Sequence, residues 1–169
     1  MMRIDITEIA GINGAYINVE KDIPASEYIT GKSDVKLGET IHVDLKIEYI
    51  EGLIVVSGTL SGKYSAVCGR CLADINEDFI VDFHENFIHT SDMDEGSDDY
   101  EYEGSHIDLS VPFIDNILLG FPGIMLCMED CKGLCSICGK NLNDGECSCD
   151  RSDHSINLQM EKLKDFFDK

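Results

Sequence analysis

Residues 41–49, Ile-His-Val-Asp-Leu-Lys-Ile-Glu-Tyr, alternate apolar and polar side chains without an error. A period of two places all five apolar groups on one face of an extended strand, which must therefore be half buried. Glu51-Gly52 follows almost at once, and a two-residue loop of this kind folds the chain back into a hairpin. The return strand then sets Tyr49 opposite Ile54, Ile47 opposite Val56 and Val43 opposite Leu60, so one apolar face runs across both strands. Ile75, Phe79, Val81, Phe83 and Phe87 form a further alternation. It predicts a strand paired with the extension of the previous one through Tyr64 and Val67, with Cys68-Gly69-Arg70-Cys71 at the tip between them.

Residues 3–9 and 15–19 are expected as shorter strands, with Gly11 and Gly14 making the turn. Residues 91–104 hold seven acidic groups, no basic ones and two glycines, which predicts a mobile loop. A short strand at 106–109 precedes a helix for which Ser110 is the expected N-cap and Pro112 a first-turn residue. Phe113, Ile114, Ile117, Leu118 and Phe121 share one face of that helix, which Gly120 and Pro122 end. Ser155 can cap a last helix carrying the stripe Ile156, Met160, Leu163 and Phe167. The expected fold is mainly β with few helices, in the α+β class: an antiparallel long-stranded sheet or open barrel with a C-terminal cysteine-rich, metal-binding appendage and terminal helix. Residues 1–126 form the mainly β domain and 127–169 the appendage. A chain of 169 residues, 43% hydrophobic, has material for one main core and such an appendage, not for two large domains.

The eight cysteines carry the chemistry. Cys135-Ser136-Ile137-Cys138-Gly139 is the most specific local signal, because a Cys-x-x-Cys turn brings two thiolates to one ion and the glycine relieves the turn. Cys147 and Cys149 can complete a four-sulfur site. Cys68 and Cys71 repeat the knuckle, and Cys127 and Cys131 precede the second one, so the sulfurs divide into two sets of four. Cys68, Cys71, Cys127 and Cys131 suit one site and Cys135, Cys138, Cys147 and Cys149 the other, although exchanges between the sets are equally legal on spacing. Zinc, as one or two structural ions, ranks above iron–sulfur ligation, whose usual runs are spaced differently and continue into proline. All-sulfur ligation leaves no open position for a catalytic water. A thioredoxin-like reading lacks its βαβ context.

Charge and pattern narrow the function further. There are 33 acidic and 13 basic residues, a net charge of −20, and no basic run, so a phosphate backbone would meet only scattered groups such as Arg70, Lys132 and Lys140. A cationic partner is favoured instead. The five histidines show no helix-spaced ligand set, and no phosphate-binding glycine loop or Gly-x-Ser-x-Gly elbow is present. His42, His84 and His106 are expected as ordinary strand histidines. Catalysis and a small-molecule substrate are therefore not expected. The N-terminus lacks the apolar core of a secretory signal, and the most apolar stretch, 111–128, is broken by Asp115, Asn116 and two prolines, which argues against a membrane span. A reducing cytoplasmic location is expected, where cysteine-rich segments bind metal or do redox chemistry more often than they form disulfides.

Taken together, Val67-Cys68-Gly69-Arg70-Cys71-Leu72 and the run from Cys127-Met128-Glu129-Asp130-Cys131-Lys132-Gly133-Leu134-Cys135 through Cys138-Gly139-Lys140-Asn141-Leu142-Asn143 resemble the YceD family. The resemblance covers most of the chain and implies a part in accumulation of large-subunit ribosomal RNA, hence ribosome assembly, with no assigned catalysis. The family's gene tends to neighbour that of a small large-subunit ribosomal protein. Some members lack part of the cysteine cluster, which implies a stabilising role for the metal. The sequence departs from the family pattern where Met125 replaces a proline, Asp115-Asn116 an Arg-Glu, and Ser155-Ile156-Asn157 an Asp-Pro-Arg. The expected role is a non-catalytic, metal-binding accessory factor acting through a basic large-subunit ribosomal protein or pre-ribosomal particle. Zinc-knuckle RNA binding and thiol-redox or metal transfer are the alternatives.

Overall fold

The computed structural model describes residues 2–27, 35–92 and 98–149. Among these residues, strands β1 (Arg3–Asp5), β2 (Tyr16–Pro24), β3 (Lys36–Ile50), β4 (Leu53–Val67), β5 (Asp74–His89), β6 (Tyr100–Tyr102) and β7 (His106–Asp108) are followed by one α-helix, α1 (Ser110–Gly120). In the β3–β4 hairpin Tyr49 faces Ile54, Ile47 faces Val56 and Val43 faces Leu60, the register that the alternation predicts. Glu51 and Gly52 have φ of 49° and 98°, the left-handed pair that lets a two-residue turn follow the twist of its strands. The N–H of Glu51 donates to Asn13 Oδ1 at 3.0 Å, which helps to hold a residue other than glycine in that conformation. β5 pairs with β4 without interruption from Leu53↔Ile88 to Val67↔Asp74.

The main sheet is open, five-stranded and ordered β2-β3-β4-β5-β6, while β1 and β7 form a separate pair. It is antiparallel except at β6, which runs parallel to the end of β5. This strand falls inside 91–104, where a loop is expected throughout. Tyr100 lies 5.5 Å from Phe87 between ring centroids and Tyr102 is 5.3 Å from the His89 ring, so two aromatic side chains anchor a strand that the surrounding charge conceals. Asp94 and Glu95 of that segment lie outside the described residues.

The N-terminus also differs from expectation. The Asp5 carboxylate accepts the N–H and hydroxyl of Thr7, and the N–H groups of Ile9 and Ala10 both donate to the Ile6 carbonyl. These bonds wind residues 6–14 into turns rather than a strand. Accordingly β1 stops at Asp5 and pairs with β7, not with β2, although Gly11 and Gly14 do occupy left-handed turn positions.

Helix α1 follows its predicted span with a different cap. Leu109 is the N-cap residue, the Ser110 hydroxyl instead accepts the Met2 N–H at 3.0 Å, and Asp108 Oδ1 accepts the Ser110 N–H. Phe113 and Ile117 are fully buried, with Phe113 edge-on to Phe83 at 5.1 Å. Each such side chain contributes roughly 1.5–3 kcal/mol. Leu118, expected on the same face, is exposed, because burial centres on Phe113 and Ile117 and leaves it on the helix flank. The core lies between α1, the N-terminal turns and the inward face of the sheet. A second apolar cluster of Val35, Ala66, Ile75 and Met125 surrounds Cys68, Cys71 and Cys131 at the far end of β4 and β5. The predicted C-terminal helix lies outside the described residues.

Candidate metal centres

β4 and β5 carry their pairing to Val67↔Asp74, and the chain reverses there through a knuckle. The N–H of Cys68 donates to the Ala73 carbonyl at 2.9 Å and the N–H of Leu72 to the Cys68 carbonyl at 3.0 Å. The same two bonds recur in the C-terminal segment, from Cys135 N–H to Lys140 O at 2.8 Å and from Gly139 N–H to Cys135 O at 2.9 Å. In both, the residue after the second cysteine is left-handed, Leu72 with φ of 59° and Gly139 with φ of 72°. One local structure is therefore built twice. Glycine is the unstrained choice for that position, and a leucine there costs about 1–2 kcal/mol.

The sulfurs gather into two tetrads, Cys68, Cys71, Cys127 and Cys131 in one and Cys135, Cys138, Cys147 and Cys149 in the other, with all four ligand atoms of each within 4.8 Å of one another. Sequence spacing leaves this pairing open; the folded chain decides it. Cys68 Sγ is 3.8 Å from Cys131 Sγ, Cys71 Sγ is 3.5 Å from Cys127 Sγ, and Cys147 Sγ is 3.4 Å from Cys135 Sγ. Four zinc–sulfur bonds of about 2.3 Å set sulfurs about 3.8 Å apart on a tetrahedron, close to these separations, whereas a disulfide needs about 2.05 Å. Each tetrad is thus sized to hold a metal ion. The first is the more enclosed, with Cys68, Cys71 and Cys131 buried and Cys127 half-buried. In the second only Cys135 is buried and Cys138 is exposed.

Electrostatics within each tetrad is uneven. Backbone N–H groups of Cys127 and Cys71 bring the Cys68 thiol down to about 6, and those of Cys138 and Ile137 do the same for Cys135. Cys131 is lowered first by the side-chain amide of Asn143. Cys127 is pushed up to about 12 by the Cys71 side chain and burial, and Cys149 to about 12 by Cys138 and burial. Cys71 is raised on balance, its pull from the Ala73 N–H outweighed by burial and by Cys68 and Cys131. Some thiolates are prepared by oriented dipoles while the rest resist adding like charge, a conflict that a central cation removes.

Two of the three basic groups singled out above are engaged in holding loops. Arg70 Nη1 donates to the carbonyl oxygens of Cys131 at 3.0 Å and Glu129 at 3.4 Å, and Lys140 Nζ to that of Glu146 at 2.8 Å. Asn141 and Asn143, neither of them a predicted ligand, bond one another, and Asn143 reaches Cys131. Their signal in the sequence is the Asn141-Leu142-Asn143 run just after the knuckle, part of the motif that carries the family resemblance. His42 is an exposed strand residue bonded to Asp22 at 2.8 Å. Among the described residues, no helix is long and apolar enough to cross a membrane.

Fold and site define a mainly β protein in which a sheet tip and a C-terminal loop segment build two four-cysteine clusters, each able to hold a metal ion. Residues 56–167 match the family described as large ribosomal RNA subunit accumulation protein YceD, and the chain belongs to that family. An uncharacterized protein of Mycobacterium leprae is 28% identical over 143 residues, covering 82% of this chain and 66% of its own length. Uncharacterized proteins of Mycobacterium bovis and Mycobacterium tuberculosis are each 26% identical over 144 residues, covering 82% of this chain and 69% of theirs. The chain thus spans just under two thirds of the first of these relatives. No solved structure matches it.

Proposed function

We propose that the protein is a non-catalytic, zinc-binding accessory factor for accumulation of the large ribosomal subunit, acting in the cytoplasm through a basic ribosomal protein. The observation that carries the metal part is the pair of tetrads, each offering four thiols and no other donor group among the described residues. Zinc accepts such a set without a geometric preference of its own, and with all four positions filled by sulfur the ions are structural. Membership of the family supports the ribosomal part, and a net charge of −20 supports a cationic protein as the partner. A zinc-knuckle contact to RNA is the second reading, but Arg70 and Lys140 are already bonded to backbone carbonyls, which leaves few cations to release phosphate counterions.

Elemental analysis of the purified chain is expected to return two zinc ions per chain, and a Cys138→Ser chain one. Protein free of metal, with all eight thiols reactive in the native state, would refute the metal assignment. Association with purified basic large-subunit proteins is expected to weaken with salt. It should also slow by about tenfold or more at low salt when Asp92, Asp94, Glu95, Asp98, Asp99, Glu101 and Glu103 become Asn or Gln. Tighter binding to naked large-subunit RNA than to those proteins would reverse the preference.

A further inference from the structure

Asn143 belongs by sequence to the second tetrad's loop, between Cys138 and Cys147, yet its side chain serves the first. Its Nδ2 donates to Cys131 Sγ at 3.3 Å and to Asn141 Oδ1 at 2.9 Å, and its Oδ1 accepts the Lys132 N–H at 2.8 Å. The backbone donor at Lys132 fixes which end of the amide is oxygen, so the NH2 group must face the sulfur. Asn141 in turn accepts the Asn143 N–H at 3.0 Å and lies in the ladder that builds the second knuckle. That ladder comprises Cys135 N–H to Lys140 O, Leu142 N–H to Gly133 O at 2.9 Å, and the Leu134↔Asn141 bridge. On the opposite side Leu134 N–H donates to Arg70 O at 3.1 Å, within the first knuckle, and Arg70 holds the Cys131 carbonyl. Gly133, left-handed with φ of 73°, makes this approach possible, since a Cβ there would lie 3.0 Å from the Arg70 oxygen.

We infer that Asn143 is a positioning residue for Cys131 through which the second tetrad's knuckle braces the first, so that metal bound at one site favours metal at the other. The inference rests on the reading that both tetrads hold metal. A hydrogen bond to a ligating sulfur orients it and stabilises its charged form, and loss of such an outer contact lowers metal affinity about 10–100-fold. Because binding free energies are linked, the coupling acts in both directions.

The test loads the full chain with cadmium-113, whose two resonances are assigned by which one disappears in Cys71→Ser and which in Cys138→Ser. Asn143→Asp keeps the acceptor for Lys132 but replaces the donor with a second oxygen. It is expected to shift the first-tetrad resonance and to lower about 10–100-fold the EDTA concentration that strips it, while the second resonance keeps its position. Asn141→Asp, which retains the acceptor, leaves the first resonance in place. Cys138→Ser makes the first site easier to strip, and a first site that strips at the wild-type EDTA concentration in that variant overturns the coupling. A first resonance that neither moves nor strips earlier in Asn143→Asp overturns the inference, as does an equal shift of both signals, which would mean that the amide supports the loop as a whole. A wild-type chain that takes up no cadmium refutes the metal reading itself, a result distinct from two intact but uncoupled sites.

Discussion

Gly58 shows how one residue can be dictated by backbone proximity. It sits within β4 with φ of 154°, and a Cβ built there would lie 2.0 Å from the carbonyl oxygen of Asp44 and 2.8 Å from the Leu45 Cα. Neither contact can be relieved by moving a flexible side chain, so the neighbouring strand would have to shift. Gly58→Ala is therefore expected to destabilise the chain by about 3 kcal/mol, read as a lower urea midpoint with metal content unchanged. Leu72 is the converse case, a side chain retained at 65% exposure in a backbone conformation that its counterpart Gly139 meets without strain.

At the scale of elements, the sheet and the cysteine segment draw on different sources of order. β3, β4 and β5 are 15 or 16 residues long and share one apolar face. Residues 127–149 contribute only an isolated bridge and loops among the described residues, so on the proposed metal reading ligation would substitute for burial there. Removal of metal by a chelator is expected to speed hydrogen exchange through 127–149 and at the 66–75 tip, where Ala66 and Ile75 pack around Cys68 and Cys71. Protection over 41–60 should persist. Equal acceleration in the central strands would show that the ions hold the whole fold.

At the scale of the whole molecule, charge is organised by the sheet as well as by the 91–104 segment. With one face committed to the core, the outward rung Glu20↔Asp44↔Thr59↔Asp82 brings three carboxylates onto the other. Asp22, Asp74 and Asp78 lie on the same face, with Lys63 opposite Asp78. Lys46 there is tied to Glu48 at 2.6 Å and lies over the Tyr16 ring. A cationic protein approaching this side meets an attractive field, and a phosphate backbone meets a repulsive one. The partner proposed above is therefore favoured by a broad surface as well as by the acidic segment.

What was legible in the residue order is what depends on near neighbours. The period of two over 41–49 and 75–87 determines strands, inward faces and the hairpin register, because a slip of one residue would expose every apolar side chain. The Cys-x-x-Cys knuckles are equally local, since five or six residues close their own hydrogen bonds. Other features required the folded chain. The assignment of Cys127 and Cys131 to the sheet-tip knuckle joins residues 56 to 63 apart, and the pairing of β1 with β7 and the parallel docking of β6 are likewise long-range. Such contacts are chosen by which arrangement buries the most apolar surface and satisfies the most polar groups at once, and they leave no periodic trace in the segments that make them. The reach of Asn143 to Cys131 belongs with them, because an asparagine in a polar loop carries no sign of the sulfur it will face.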